Sequence, residues 1–240
     1  GDGADSLDGA AGNDNISGGA GNDTFSFMTS GELTKNDTID GGEGTDTINI
    51  TTAVTINDSV LTSIETADIE FTATSKTVDA EDWTSLSQLT LGADGSYTST
   101  VSGLATGVTV DINDADNDVV TLDYVAGAST TIDVSATMAT SLTITDAASV
   151  TINNDTSTNA TTASLVLDAT DTTSLVVGNE SSGTLGTGNI TGTNSLTSVT
   201  ATSAVASGTT TLGTIADADA LTSVTLTALN ANATIGQIGT

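Results

Sequence analysis

The sequence predicts an all-β protein in two parts: a short-period coil over residues 1–50, followed by a Thr/Ser-rich β-solenoid-like region over residues 51–240. An antiparallel β-sandwich is the alternative for the second part. Three observations carry this. In the first part, aspartates recur at a fixed interval, each followed by one apolar residue. In the second, short segments alternate apolar and polar residues with period two. Aromatic residues make up only 2% of the chain, so any core is built from Val, Ile, Leu, Ala and Thr methyl groups.

Along the first part, Asp5, Asp14 and Asp23 are nine positions apart, and Asp37 and Asp46 are nine apart again. The gap of fourteen between Asp23 and Asp37 is one period plus five inserted residues. Two positions after each aspartate stands an apolar residue: Leu7, Ile16, Phe25, Ile39 and Ile48. The fullest copies read GAAGNDNIS, GGAGNDTFS and GGEGTDTIN. Glycine tolerates positive φ and close backbone approach, so it shapes a turn whose carbonyls face inward. The three residues after each aspartate form a minimal strand with one side chain directed to the core. Two nine-residue units per coil would stack the turns of Asp5, Asp23 and Asp46 on one edge and those of Asp14 and Asp37 on the other. One apolar side chain per nine residues gives little burial against the entropy of ordering them. Stacked carboxylates also repel, so a divalent cation between the turns is needed to close the coil.

These phrases resemble the RTX nonapeptide, G-G-x-G-x-D-x-U-x, a calcium-binding β-helix repeat. The resemblance implies a parallel β-roll with several bound calcium ions. Carried onto matching positions, it implies side-chain ligands at Asp5, Asp14, Asp23, Asp37 and Asp46. Backbone ligands would come from the turns at Gly1, Gly3, Gly12, Gly18, Gly19, Ala20, Gly21, Gly41, Gly42, Glu43 and Gly44. The copy ELTKNDTID lacks the glycines and carries Lys35, so its half-site is expected to be weak or vacant. Asp8 and Asp40 close their repeats and either complete a ligand shell or face water. The chemistry of the residues agrees with the resemblance: calcium accepts six to eight carboxylate and carbonyl oxygens in flexible geometry, whereas magnesium demands a stiffer octahedron.

The second part opens on TDTINITTAVTINDSVLTSIETADIEF, which resembles the RTX-type surface-layer proteins in passing from nonapeptides to Thr-rich strands through an I-E-T phrase, Ile64-Glu65-Thr66. Strands are predicted at VTVDI (108–112), STTIDVS (129–135), SLTIT (141–145), SVTIN (149–153) and SLVLD (164–168). L-T-S-[I/V] occurs at 61–64, 196–199 and 221–224, and T-S-L at 84–86, 140–142 and 173–175. The interval of 25 between the last two L-T-S-V copies suits one solenoid coil. Residues 79–89, DAEDWTSLSQL, are read as a short helix capped by Asp79. Asp114, Asp116 and Asp118 have the one-three-five spacing of a calcium loop, but Val119 and Val125 stand where an EF-hand needs Gly and Glu. They are a candidate loop site, with a solvated turn as the alternative.

Charge removes several function classes. The formal net charge is −29, with Lys35 and Lys76 the only basic residues. Phosphate contacts need Lys and Arg, so nucleic acid is excluded as a partner, and an anionic membrane would repel the chain. Only six of the 31 acids are Glu, a bias toward the short-stemmed turn former Asp. Without Cys or His the chain has no disulfide, no thiolate or imidazole chemistry and no ordinary zinc site. A glycosidase would pair two carboxylates across an aromatic-lined cleft, and the chain has one Trp, Trp83, read as packing. Thr-x-Thr triplets hint at an ice-binding face, but they hold no fixed period. No enzyme activity is expected, and the sequence reads as a piece of a longer protein. The expected function is a calcium-dependent structural component of a bacterial surface layer, exported by type I secretion and self-assembling outside the cell. The alternatives are a segment of a large RTX adhesin and the export and folding module of a secreted enzyme.

Overall fold

A computed structural model describes residues 1–93, 95–113, 119–135, 141–154, 159–161, 164–167, 170–229 and 232–239. The chain winds into a β-solenoid of about nine turns. All strand pairings among the described residues are parallel, and each joins residues 18 to 25 positions apart, one coil on. The antiparallel sandwich is therefore excluded.

One wall runs the length of the molecule. Its strands are Ser6–Asp8, Thr24–Phe27, Thr47–Thr52, Thr66–Phe71, Gln88–Ala93 and Thr109–Ile112. It continues through the second halves of Val119–Val134 and Ser141–Asn154 to Ser174–Asn179, Ser198–Ser203 and Ser223–Ala228. The wall is unbroken across residue 50, since Thr47–Thr52 pairs with the strand on either side of it. The opposite wall begins with Asn15–Ala20, Thr38–Glu43 and Val60–Thr62. A separate run, which stacks on Ile56 rather than on Val60–Thr62, holds Lys76–Asp79, Thr98–Leu104 and the first halves of the two long strands. Those two strands turn a corner between the walls, and positive φ at Gly127 (80°) and Asp146 (62°) marks the bend. A short third wall, Thr184–Gly186, Thr209–Leu212 and Asn232–Ile235, appears in the last coils.

Period two produces the core directly. Phe25, Ile48, Ala67, Leu89, Val110, Ile132, Ile152, Val177 and Ala201 form one buried column, each in register with the next. The five inserted residues mark where the coil widens. The first coil spans 18 residues (Leu7 to Phe25) and the second spans 23 (Phe25 to Ile48). From there the long wall carries two apolar residues per strand, as in Phe25 with Phe27 and Ile48 with Ile50. The L-T-S-V copies fall in register as expected, Ser198 opposite Ser223.

Residues 79–89 are not a helix. Asp79 Oδ1 does accept the N–H of Glu81 at 3.1 Å, but the chain then makes two successive turns and enters the strand Gln88–Ala93. Trp83 and Leu86 both point inward, because Trp83 bridges to Leu61 of the preceding coil and continues that wall. Trp83 is buried, and its Nε1 donates to the carbonyl and hydroxyl oxygens of Ser59, both at 3.2 Å.

Candidate metal centre

Turns from alternate nonapeptides stack on opposite edges, as the aspartate phase requires. Gly1, Gly19 and Gly42 lie above one another, as do Gly3, Gly21 and Gly44. The contact is so close that a Cβ on Gly42 would overlap the carbonyl oxygen of Gly19, and one on Gly44 that of Gly21. Both glycines also have positive φ, 103° and 142°. Only glycine, as a residue type, meets both conditions. Backbone bonds lock the stack: Gly3 N–H donates to the Ala20 carbonyl at 2.5 Å and Gly21 N–H to that of Glu43 at 2.7 Å.

The aspartates form ladders. Asp23 Oδ1 accepts the backbone N–H of Asp5 at 2.8 Å, and Asp46 Oδ1 that of Asp23 at 2.7 Å. On the other edge, Asp37 Oδ1 accepts the N–H of Asp14 at 2.7 Å. In each case one carboxylate oxygen holds the preceding turn. The second oxygens of Asp14, Asp23 and Asp46 are buried and have no hydrogen-bond partner. An ionised oxygen taken from water without a partner is costly. Burial raises the pKa of Asp46; the bond from the Asp23 N–H opposes this, and the charges of Asp23, Glu65 and Asp40 add to the rise.

The surroundings of these oxygens fit a hard cation. A Cβ on Gly18 would overlap Asp23 Oδ2 and lie 2.7 Å from the Gly41 carbonyl oxygen, so carboxylate and carbonyl face the same small space. Among the described residues no three carboxylates converge, so the donor set is one aspartate per turn plus backbone carbonyls. Oxygen-only, carbonyl-rich sites suit calcium.

The other expected positions divide. Asp37 is buried, but its Oδ2 accepts the N–H of Thr34 at 2.6 Å, so both of its oxygens are engaged within the protein. Asp5 is partly exposed, and its own N–H donates to Asp23 Oδ1. Asp8 is exposed and accepts the N–H of Ala10 at 2.9 Å. Asp40 is half-buried, close enough to Asp46 to affect its ionisation. Asp114, Asp116 and Asp118 lie outside the described residues.

One residue of the ladder was not foreseen. Glu65 Oε2 accepts the N–H of Asp46 at 2.8 Å and so takes the place of the next aspartate. The signal was present as register: Thr66 pairs with Thr47, which puts Glu65 opposite Asp46.

Residues 1–27 and 33–49 match the family model of the RTX calcium-binding nonapeptide repeat, in four copies. The opening stretch of this chain is a block of RTX repeats. The unmatched residues 28–32 are the five-residue insertion that widens the coil. No curated protein and no solved structure matches the chain. RTX repeats bind calcium, and proteins that carry them are typically secreted. The repeat solenoid is a structural and binding fold.

Proposed function

We propose that this chain is a calcium-dependent structural component of a bacterial surface layer, folding and assembling outside the cell. The observation that carries the calcium part is the set of buried, unpartnered Oδ2 atoms of Asp14, Asp23 and Asp46, held against glycine turns. Asp23, with the Gly18 turn and the Gly41 carbonyl, would hold an ion on one edge, and Asp14 would hold one on the other. A bound divalent ion supplies the positive charge that these oxygens lack.

The chain's own residues do the rest. The Oδ1 atoms clamp each turn to the one before it, and the glycine columns let the turns approach. Where calcium is scarce, a chain of net charge −29 resists closing. Where calcium is plentiful, binding only to the folded form drives folding. Self-association enters this reading through the resemblance of residues 45–71 to RTX-type surface-layer proteins. Surfaces this acidic would also need cations between neighbouring copies.

Electron microscopy of the purified chain at high concentration, with calcium and with chelator, tests the reading. A two-dimensional lattice with calcium alone is the expected result. Isolated fibres would favour an adhesin segment, and soluble monomers under every condition would remove the assembly part.

A further inference from the structure

The ladder does not stop where the nonapeptides stop. The matched repeats end at residue 49, yet the turn at Ser63, Ile64 and Glu65 stacks on the Gly41 turn as the Gly41 turn stacks on Gly18. Three facts define that last step. Asp46 Oδ2 is buried, belongs to a residue with 0% exposure and has no hydrogen-bond partner. A Cβ on Gly41 would overlap both that oxygen and the Ser63 carbonyl oxygen, so the two face one space. The same pair of groups, Asp23 Oδ2 and the Gly41 carbonyl, faces the space over Gly18 one coil earlier. Glu65 then fills the aspartate's place, with Oε2 on the Asp46 N–H at 2.8 Å.

The change from Asp to Glu follows from the length of the turn. Six residues, 41–46, separate the strand residues Asp40 and Thr47. Only three, 63–65, separate their register partners Thr62 and Thr66. Ser63 makes the shorter path with φ of 51°, and its N–H is held by Ser85 Oγ at 3.2 Å. The acidic residue of a shortened turn needs a longer stem to reach the same N–H.

We propose that Asp46 Oδ2, the Ser63 carbonyl and the free oxygen of Glu65 form a further calcium site at the seam between the nonapeptide coils and the Thr-rich coils. The proposal rests on the calcium reading above. It adds a site built half from residues outside the repeats, and so couples metal loading to the start of the second region.

Native mass spectrometry of the full chain with calcium, comparing wild type with Glu65→Gln, tests it. Gln keeps an acceptor for the Asp46 N–H but lacks the charge. The expected result is one ion fewer per chain in the variant, with the remaining ions retained. An unchanged ion count and unchanged affinities would overturn the site. Should the variant fail to fold, the wild-type chain labelled with 13C at glutamate carboxylates decides, because only six resonances are present. Movement of the Glu65 resonance during calcium titration supports the site, and a stationary one overturns it. A wild type that binds no calcium at all sinks the calcium reading itself, whereas one that loads calcium with Glu65 unmoved sinks only this site.

Discussion

Asp46 Oδ1 accepts the backbone N–H of Asp23 at 2.7 Å, while Oδ2 of the same carboxylate is buried beside Gly41 without a partner. One side chain thus has two tasks, and each can be removed separately.

Removing the metal tests the second task on every rung at once. With a chelator, the coils formed by residues 1–50 are expected to lose strand signal in circular dichroism and to melt at lower temperature. Restored calcium at about 100 times Kd contributes about 2.7 kcal/mol for each site. Calorimetric titration gives the number of ions, and identical melts with and without chelator would refute the requirement.

Asp23→Asn and Asp37→Asn should differ in kind. Asparagine retains one acceptor, so Asp23→Asn keeps the Asp5 bond and loses charge toward the ion; the ion count drops. At Asp37 both oxygens hold backbone N–H groups, from Asp14 and Thr34. An amide there leaves one N–H facing another, costing about 1–3 kcal/mol of stability with the ion count unchanged. Titration calorimetry and denaturant unfolding together separate the two outcomes.

Gly18→Ala is expected to weaken calcium binding about tenfold or more, about 1.4 kcal/mol. Its Cβ would enter the space shared by Asp23 Oδ2 and the Gly41 carbonyl. Gly31→Ala is the control: its Cβ meets nothing within 4 Å, and only the φ of 87° opposes it. That substitution should cost about 1 kcal/mol of stability and leave affinity untouched.

The pH response should change sign with calcium. Burial raises the Asp46 carboxyl above its ordinary value of 3.8 against the opposing Asp23 N–H, and the charges of Asp23, Glu65 and Asp40 add to the rise. A folded-state value above the unfolded one means that protonation favours the fold. This stabilisation is complete below pH 3.8 and is lost as pH rises through the raised value. Mild acidification is therefore expected to raise Tm without calcium. With calcium it should lower Tm, because protons compete for the ligand oxygens. Parallel melts along a pH series check both slopes.

Trp83→Ala should cost about 3–5 kcal/mol, and Trp83→Phe less, through loss of the bonds to Ser59. Unfolding in denaturant at saturating calcium measures both.

Much of this architecture was legible because its periods are short. The nine-residue interval placed Phe25 over Leu7, and the same interval with the five inserted residues placed Ile39 over Ile16. Period two likewise marked Val110, Ile132 and Ile152 as core. Residues 79–89 were misread for a local reason. Asp79 and the inward pair Trp83 and Leu86, three apart, fit a helix as well as a tight corner, and only the bridge from Trp83 to Leu61 decides. Glu65 was overlooked because its equivalence to Asp46 depends on a turn shortened by three residues, which no fixed period reveals.

Among the described residues, strand pairing that never reaches beyond 25 positions along the chain has a mechanical consequence. Each coil is held only by its neighbours. Under tension applied at the two ends, the wall has no distant staple to break at once, so it should peel rung by rung. A released coil of 25 residues lengthens the chain by up to about 80–90 Å. In an optical trap this predicts a staircase of small, even steps, with the tallest force at the ion-loaded end.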